Sequence, residues 1–283
     1  MKINHHHIKI GRDKLHYTSQ GTGEKVVVAF HGFGQSNLAF REFGLAFGEQ
    51  ITLISIDLFG HGRSDFLTEE ILFPKKLKLF LEAVFERHNV HRFDILAFSI
   101  GARYAMLTMK SMYTRIDNVF LIAPDGIKDN LVYSLVTTSR FFKKQFARFV
   151  IKPQFFSQMV LLLAQFRIIK RAYALLLIRL TKTRFKRLLI YRTWVSLSHS
   201  NAKRCNLNES KEKIAGNLII LYSSKDRFIS PNAISSFVRK NSCESLSLSC
   251  HHHELIKESV DYFKEGNWPD RNNTSSSAQE AKL

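Results

Sequence analysis

The residues Ala97-Phe98-Ser99-Ile100-Gly101 constrain this chain more than any others. They follow the apolar run Phe93, Ile95, Leu96 and precede a helix-like stretch. Small residues two before and two after a serine let a strand turn sharply into a helix and lift the hydroxyl above the sheet edge. This spacing makes Ser99 the candidate nucleophile. A serine in an ordinary strand-to-helix turn can have the same small neighbours, so the surrounding segments decide between the two readings.

One such segment is His31-Gly32-Phe33-Gly34, after the strand-like run Val26, Val27, Val28, Ala29, Phe30. A loop relaxed by Gly32 and Gly34 can border a substrate and aim a backbone N–H at a developing oxyanion. The backbone amides of Phe33 and Ile100 are the candidate donors. A second strand, 51–56, runs into Asp57-Leu58-Phe59-Gly60-His61-Gly62-Arg63-Ser64, whose glycines mark a tight turn beyond the strand end. HGFG, DLFGHGRS and AFSIGA, in this order and spacing, resemble the α/β-hydrolase fold family. The resemblance covers about 20–127 and 205–262. It implies an α/β fold with a mostly parallel, twisted sheet flanked by helices and an inserted all-helical cap. Ala97 and Ala102 stand where the family most often has glycine, which alanine can replace if the backbone there does not need a positive φ.

The family order of nucleophile, acid and histidine implies an acid after a late strand and a histidine near the end of the domain. Leu218 to Tyr222 reads as a buried strand, and Asp226 stands just beyond it. A short alternating strand, Leu246, Ser247, Leu248, precedes His251-His252-His253. The resemblance favours His253 as the base, because the family's histidine is commonly followed five residues later by an acid, here Glu258; His252 is the alternative. In such a triad the histidine takes the Ser99 proton and returns it to the leaving group, while Asp226 orients the imidazole and stabilises its cation. Asp125, in Ala123-Pro124-Asp125-Gly126, competes for the acid's role but reads more readily as a turn residue. His31 and His61 are expected to shape loops. Adjacent histidines in an extended segment point to opposite sides, so neither 251–253 nor 5–7 is expected to hold a metal. No cofactor is implied.

With 283 residues and 45% hydrophobic content, the chain can bury one α/β domain plus an insertion. Alternation over 3–10 suggests an edge strand, and the polar, strand-patterned start does not resemble a secretory signal. Three cysteines without C-x-x-C spacing suggest neither a disulfide framework nor a zinc site, and the expected location is the cytoplasm. The most apolar stretch, 159–180, is interrupted by Arg167, Lys170, Arg171 and Arg179, which opposes a membrane span.

The charge is concentrated in one segment. Between 128 and 204 stand 17 Lys or Arg residues and a single acid, Asp129, so that this segment carries +16 of the chain's net +18. The expected organisation is a hydrolase core from 1–127 and 205–264, a helical basic cap from 128–204, and a polar tail from 265–283. Within the cap, Arg140, Lys144, Arg148 and Lys152 recur every four residues, while Phe142, Phe146 and Phe149 fall on another helical face. A basic, aromatic-bearing amphipathic surface suits peripheral contact with an anionic membrane. Nucleic acid would attract the same charge, but no base-reading module is recognisable. The oligomeric state is not legible.

The combined expectation is a serine hydrolase cleaving carboxylic esters of hydrophobic acyl groups through an acyl-enzyme. A serine at the elbow argues against the branches that use a carboxylate nucleophile there. A thioesterase, lactonase or carbon–carbon hydrolase on the same residues, an acyltransferase, and a non-catalytic protein binding membranes or polyanions through its cap remain alternatives.

Overall fold

The computed structural model of the chain describes residues 2–68, 70–128, 131–167 and 171–267. Its centre is an eight-stranded sheet with spatial order β1-β2-β4-β3-β5-β6-β7-β8. These are β1 (Asn4–Ile10), β2 (Asp13–Gln20), β3 (Lys25–Phe30), β4 (Ile51–Ile56), β5 (Phe93–Phe98), β6 (Ile116–Ile122), β7 (Leu218–Ser223) and β8 (Glu244–Leu248). From β4 across to β8 every pairing is parallel; β1 with β2 and β2 with β4 are antiparallel. The expected α/β architecture is present. Parallel strands need crossover connections, and those crossovers cover both sheet faces. Accordingly every residue of β5 and β6 is buried. At the β1 edge burial alternates instead, and His5, His7 and Lys9 face solvent, a polar edge that discourages pairing with other chains.

The crossovers are α1 (Arg41–Phe47), α2 (Pro74–His88) and α3 (Gly101–Met112), and the insertion between β6 and β7 carries α4 (Leu131–Thr138), α5 (Arg140–Ile151), α6 (Pro153–Gln165), α7 (Arg171–Leu180), α8 (Arg184–Ser196) and α9 (Leu207–Lys213). Then come α10 (Pro231–Asn241) and α11 (Leu255–Tyr262). The last helix decides where the late histidines stand. Leu255, Ile256, Val260 and Phe263 repeat at helical spacing and are buried, and the Phe263 ring lies 4.9 Å from Phe120 of β6 and 5.8 Å from Phe43 of α1. Four buried side chains of this size contribute roughly 1.5–3 kcal/mol each, which anchors the turn preceding α11.

The chain divides into two compact units. One is Met1–Thr68, Leu72–Lys128 and His199–Leu283; the other is Glu69–Ile71 and Asp129–Ser198. Residues 199–204 thus group with the sheet, where the Ala202 N–H donates to the Gly126 carbonyl at 2.9 Å. The second unit is helical. Phe146 of α5 packs 5.3 Å from Tyr191 and 5.7 Å from Trp194 of α8, measured between ring centres. Among the described residues its one deeply buried cation, Arg187, is satisfied by carbonyls, with Nε donating to Val150 and Nη1 to Thr181 and Lys182, as a buried charge requires. Of the expected tail, 265–267 complete a π-helical turn, Phe263–Asn267, and 268–283 lie outside the described residues, as does Asp129.

Gly101 is required by a close approach. A Cβ there would stand 2.1 Å from the Phe30 carbonyl oxygen and 2.8 Å from that of His31, so only glycine lets the start of α3 approach the end of β3. At Gly34 the demand is different: φ is +74° but nothing lies within 4 Å of a Cβ. Gly101→Ala should therefore lower the unfolding free energy by about 2–3 kcal/mol through overpacking. Gly34→Ala should cost only about 1 kcal/mol through backbone strain. Denaturant titration of the two variants checks this ranking.

Candidate active site

The elbow is built from backbone constraints. Ser99 sits at φ +52°, a left-handed conformation that costs a non-glycine residue roughly 1–2 kcal/mol. Three hydrogen bonds hold it there. The Ser99 N–H donates to the Ile122 carbonyl at 2.9 Å, and the Ser99 carbonyl accepts from Asp125 N–H at 3.0 Å and Ala102 N–H at 3.1 Å. Strain of this kind persists only where its surroundings over-determine it. Ala97 and Ala102 have no positive φ and are fully buried, so alanine meets the elbow's need for small residues. The Ser99 side chain is half-buried.

Asp226 follows the C-terminal end of β7 and is 8% exposed. Its Oδ1 accepts from the Phe228 and Ile229 amides at 2.7 and 3.0 Å, and its Oδ2 accepts from His252 Nδ1 at 2.6 Å. Burial alone would push this carboxyl up, but the His252 hydrogen bond and the two amides outweigh it and hold the group below the usual carboxylate range. The loops carrying the two residues are tied together, since the Ser223 hydroxyl donates to the Cys250 carbonyl at 2.5 Å and the Ser224 N–H to the Leu248 carbonyl at 3.2 Å.

The expected base, His253, is not the histidine that meets Asp226. His252 is. A 3₁₀ turn, His252–Glu254, opens at His251, whose N–H donates to the Glu254 carboxylate at 2.7 Å. This turn sends alternate rings to opposite sides. His251 and His253 stack on each other at the surface, their ring centres 6.0 Å apart and their planes nearly parallel. His252 instead turns inward, its ring 4.9 Å from Phe98 and 5.1 Å from Phe228. Phe98 is the residue before Ser99, so the Asp226-oriented imidazole lies against the elbow. Its Nδ1 is engaged by the carboxylate, and Nε2 has no hydrogen-bond partner among the described residues. An imidazole held in this way can accept a proton at Nε2 and share the resulting charge with the carboxylate.

The other sequence candidates separate cleanly. Asp125 pairs with Arg103, whose Nε donates to its carboxylate at 2.7 Å, and its amide supports Ser99. The Gly32 N–H donates to Gln35 Oε1 at 2.8 Å and the Gly32 carbonyl accepts from the Gln35 N–H at 3.2 Å. Among the described residues, the Phe33 and Ile100 N–H groups donate to no other protein group, which leaves two donors beside the elbow and its neighbouring loop. Gly34 is exposed at the loop tip.

His31 is the strut of this region. It is fully buried, its Nδ1–H donates to the Gly32 carbonyl at 2.7 Å, and its Nε2 accepts from the Leu58 N–H at 3.1 Å. Both nitrogens are used in the neutral form, and burial pushes the imidazole down from 6.5 to about 4. A buried pair that sequence reasoning missed lies nearby: His16 Nδ1 donates to Asp57 Oδ2 at 2.7 Å, and Asp57 also accepts from the Asn37 and Arg63 amides at 2.7 and 2.9 Å. This pair pins β2 to the loop after β4. Its partners stand 41 residues apart, so no local pattern announces it.

A family model described as serine aminopeptidase, S33, matches residues 21–259. The fold is similar to that of a thioesterase domain from the curacin biosynthetic pathway, with 16% identity, TM-score 0.64, and 94% of this chain and 99% of that chain covered. It is also similar to an α/β-hydrolase enzyme from a Medee basin deep-sea metagenome library, with 17% identity, TM-score 0.65, and 92% and 94% covered. A carboxylesterase structure from the thaumarchaeon Nitrososphaera gargenis aligns with 16% identity, TM-score 0.62, and 92% and 97% covered. No curated protein matches the sequence. Among the described residues no helix is long and apolar enough to cross a membrane, and no group of histidine, cysteine and acidic side chains could hold a metal ion.

The His31 strut has a thermodynamic consequence. Below pH 6.5 the unfolded chain protonates this imidazole while the folded chain does not, so the unfolded state binds more protons and stability falls with pH. The loss runs from about 6.5 down to about 4 and amounts to roughly 3 kcal/mol. Burial lowers His16 and His61 in the same direction. Urea titrations at pH 7 and 4.5 should show this drop, and His31→Asn should flatten the pH slope; equal stability at both pH values contradicts the assignment.

Proposed function

Because the chain belongs to the serine aminopeptidase S33 family of α/β-hydrolase-fold enzymes, we propose that it is a serine hydrolase that cleaves carboxylic esters of hydrophobic acyl groups. The observation that carries this reading is the Asp226–His252 pair set against an elbow that holds Ser99 at positive φ. His252 Nε2 removes the Ser99 proton as Oγ attacks the ester carbonyl. Asp226 fixes the Nδ1–H tautomer and stabilises the imidazolium. The Phe33 and Ile100 amides donate to the tetrahedral oxyanion, with Gly32 and Gly34 giving the loop its close approach to substrate. Protonated His252 then delivers its proton to the departing alkoxide, which leaves the acyl group on Ser99. Water, deprotonated by His252, releases the acid and frees the serine.

The likeness to a carboxylesterase and to a thioesterase supports an acyl group as the transferred unit. Of the two acids singled out by the sequence, Asp226 is occupied by His252 and two amides and Asp125 is paired with Arg103, so neither is free to hold the ammonium group of a peptide terminus, and an ester is the substrate we favour.

Chromogenic esters from acetyl to long acyl, with aminoacyl anilides alongside, test the reading. Wild type should hydrolyse esters, with a chain-length optimum beyond acetyl. Ser99→Ala and His252→Ala should each lower kcat by about 10⁴-fold or more, and Asp226→Asn by about 10⁴-fold. His253→Ala should stay within about threefold of wild type, because its ring stacks at the surface. Turnover of anilides without esters would transfer the reading to a peptidase. Loss in His253→Ala with retention in His252→Ala would overturn the assignment of the base.

A further inference from the structure

The outer face of α5 does not look like an ordinary solvated helix face. At 100° per residue, Arg140, Phe141, Lys144, Arg148 and Ile151 fall within an arc of about 100°, Lys152 follows at the C-cap, and all six are exposed. Phe141 is 64% exposed and Ile151 71%, although the opposite face, with Phe149 and Val150, is already buried and packed. A helix in water normally mixes charges of both signs on such a face. Here there are four cations, two large apolar side chains and no acid.

Among the described residues, the rest of the second unit supplies little counter-charge. Glu70 is its one acidic residue among those described, and it accepts from Lys143 Nζ at 2.6 Å and from the Tyr191 hydroxyl at 3.3 Å. Among the described residues, none of these four cations has a carboxylate within ion-pair distance. The motif recurs on α7, where Arg171, Leu175 and Arg179 stand at i, i+4 and i+8, all exposed.

We propose that the outer face of α5 docks the protein on an anionic lipid bilayer surface. The cations meet lipid phosphates and carboxylates, and Phe141 and Ile151 enter the boundary between headgroups and acyl chains. The apolar pair favours lipid over nucleic acid: phosphate binding by a soluble polyanion needs charge alone, whereas two exposed hydrophobic side chains gain from a surface only where it offers an apolar layer. This inference is independent of the hydrolase reading, since none of the six residues belongs to the catalytic constellation.

Flotation of the full chain with phosphatidylcholine vesicles, with and without phosphatidylserine, tests it. The protein should float with the anionic vesicles, remain behind with the neutral ones, and lose binding as salt rises. Each basic residue is worth about fivefold in partitioning, so Arg140→Glu/Lys144→Glu/Arg148→Glu should lower it at least a hundredfold. Lys75→Glu/Arg239→Glu/Lys240→Glu, exposed cations of the sheet unit, changes the net charge equally and should lower it less than tenfold. Phe141→Ser/Ile151→Ser should lower lipid binding at least tenfold while leaving retention by single-stranded DNA unchanged. Circular dichroism and the melting midpoint establish that each variant is folded. The proposal is overturned if wild type shows no preference for anionic vesicles, if the two charge-reversal sets behave alike, or if the Phe141/Ile151 variant binds lipid as wild type does.

Discussion

A single strained residue organises the sheet end of this protein. Ser99 adopts a left-handed backbone that its side chain disfavours, and it does so because the Ile122 carbonyl, the Asp125 amide and the Ala102 amide all engage its peptide groups. Those partners come from β6, from the turn after β6 and from α3. Gly101 completes the arrangement by letting α3 begin so close to β3 that a Cβ would stand 2.1 Å from the Phe30 carbonyl oxygen. The presentation of Ser99 and the packing of α3 on the sheet are thus one constraint, and the neutral His31 strut extends it to the neighbouring loops.

Much of this was legible in the sequence because buried parallel strands write themselves as short unbroken apolar runs. Val26 to Phe30, the 51–56 segment and Leu218 to Tyr222 each mark a strand end beyond which a loop must carry polar chemistry. β2 is harder to read. Asp13, His16, Thr18, Ser19 and Gln20 are polar and buried, and partners distant in sequence satisfy the ionisable ones among them, as Asp57 does His16 and the Leu67 and Thr68 amides do Asp13. Burial there is decided by tertiary contacts that no local periodicity encodes.

The late histidines show the same limit at closer range. Three identical residues in a row carry no internal distinction, and spacing to a later acid selects His253, whereas the structure sets His252 against Asp226. What distinguishes them is orientation: the 3₁₀ turn capped by Glu254, with α11 anchored through Leu255 and Phe263, directs His252 inward while His251 and His253 stack outside. The charge segregation, by contrast, was plain from counting. A segment carrying +16 of a net +18 resists its own compaction, and the helices of the second unit bear that repulsion with Glu70 as the one described acid among them. A persistent, one-sided charge of this kind is a feature that an external anionic surface would relieve.

The central claim is that Ser99 is a nucleophile activated by His252. Reaction with a fluorophosphonate, followed by peptide mass spectrometry, tests it most directly, because this reagent needs an activated serine and no knowledge of the natural substrate. The account predicts one adduct, on Ser99, formed at least a hundredfold more slowly in His252→Ala and at an unchanged rate in His253→Ala. An adduct on another residue, or labelling of Ser99 that is indifferent to His252, would contradict it.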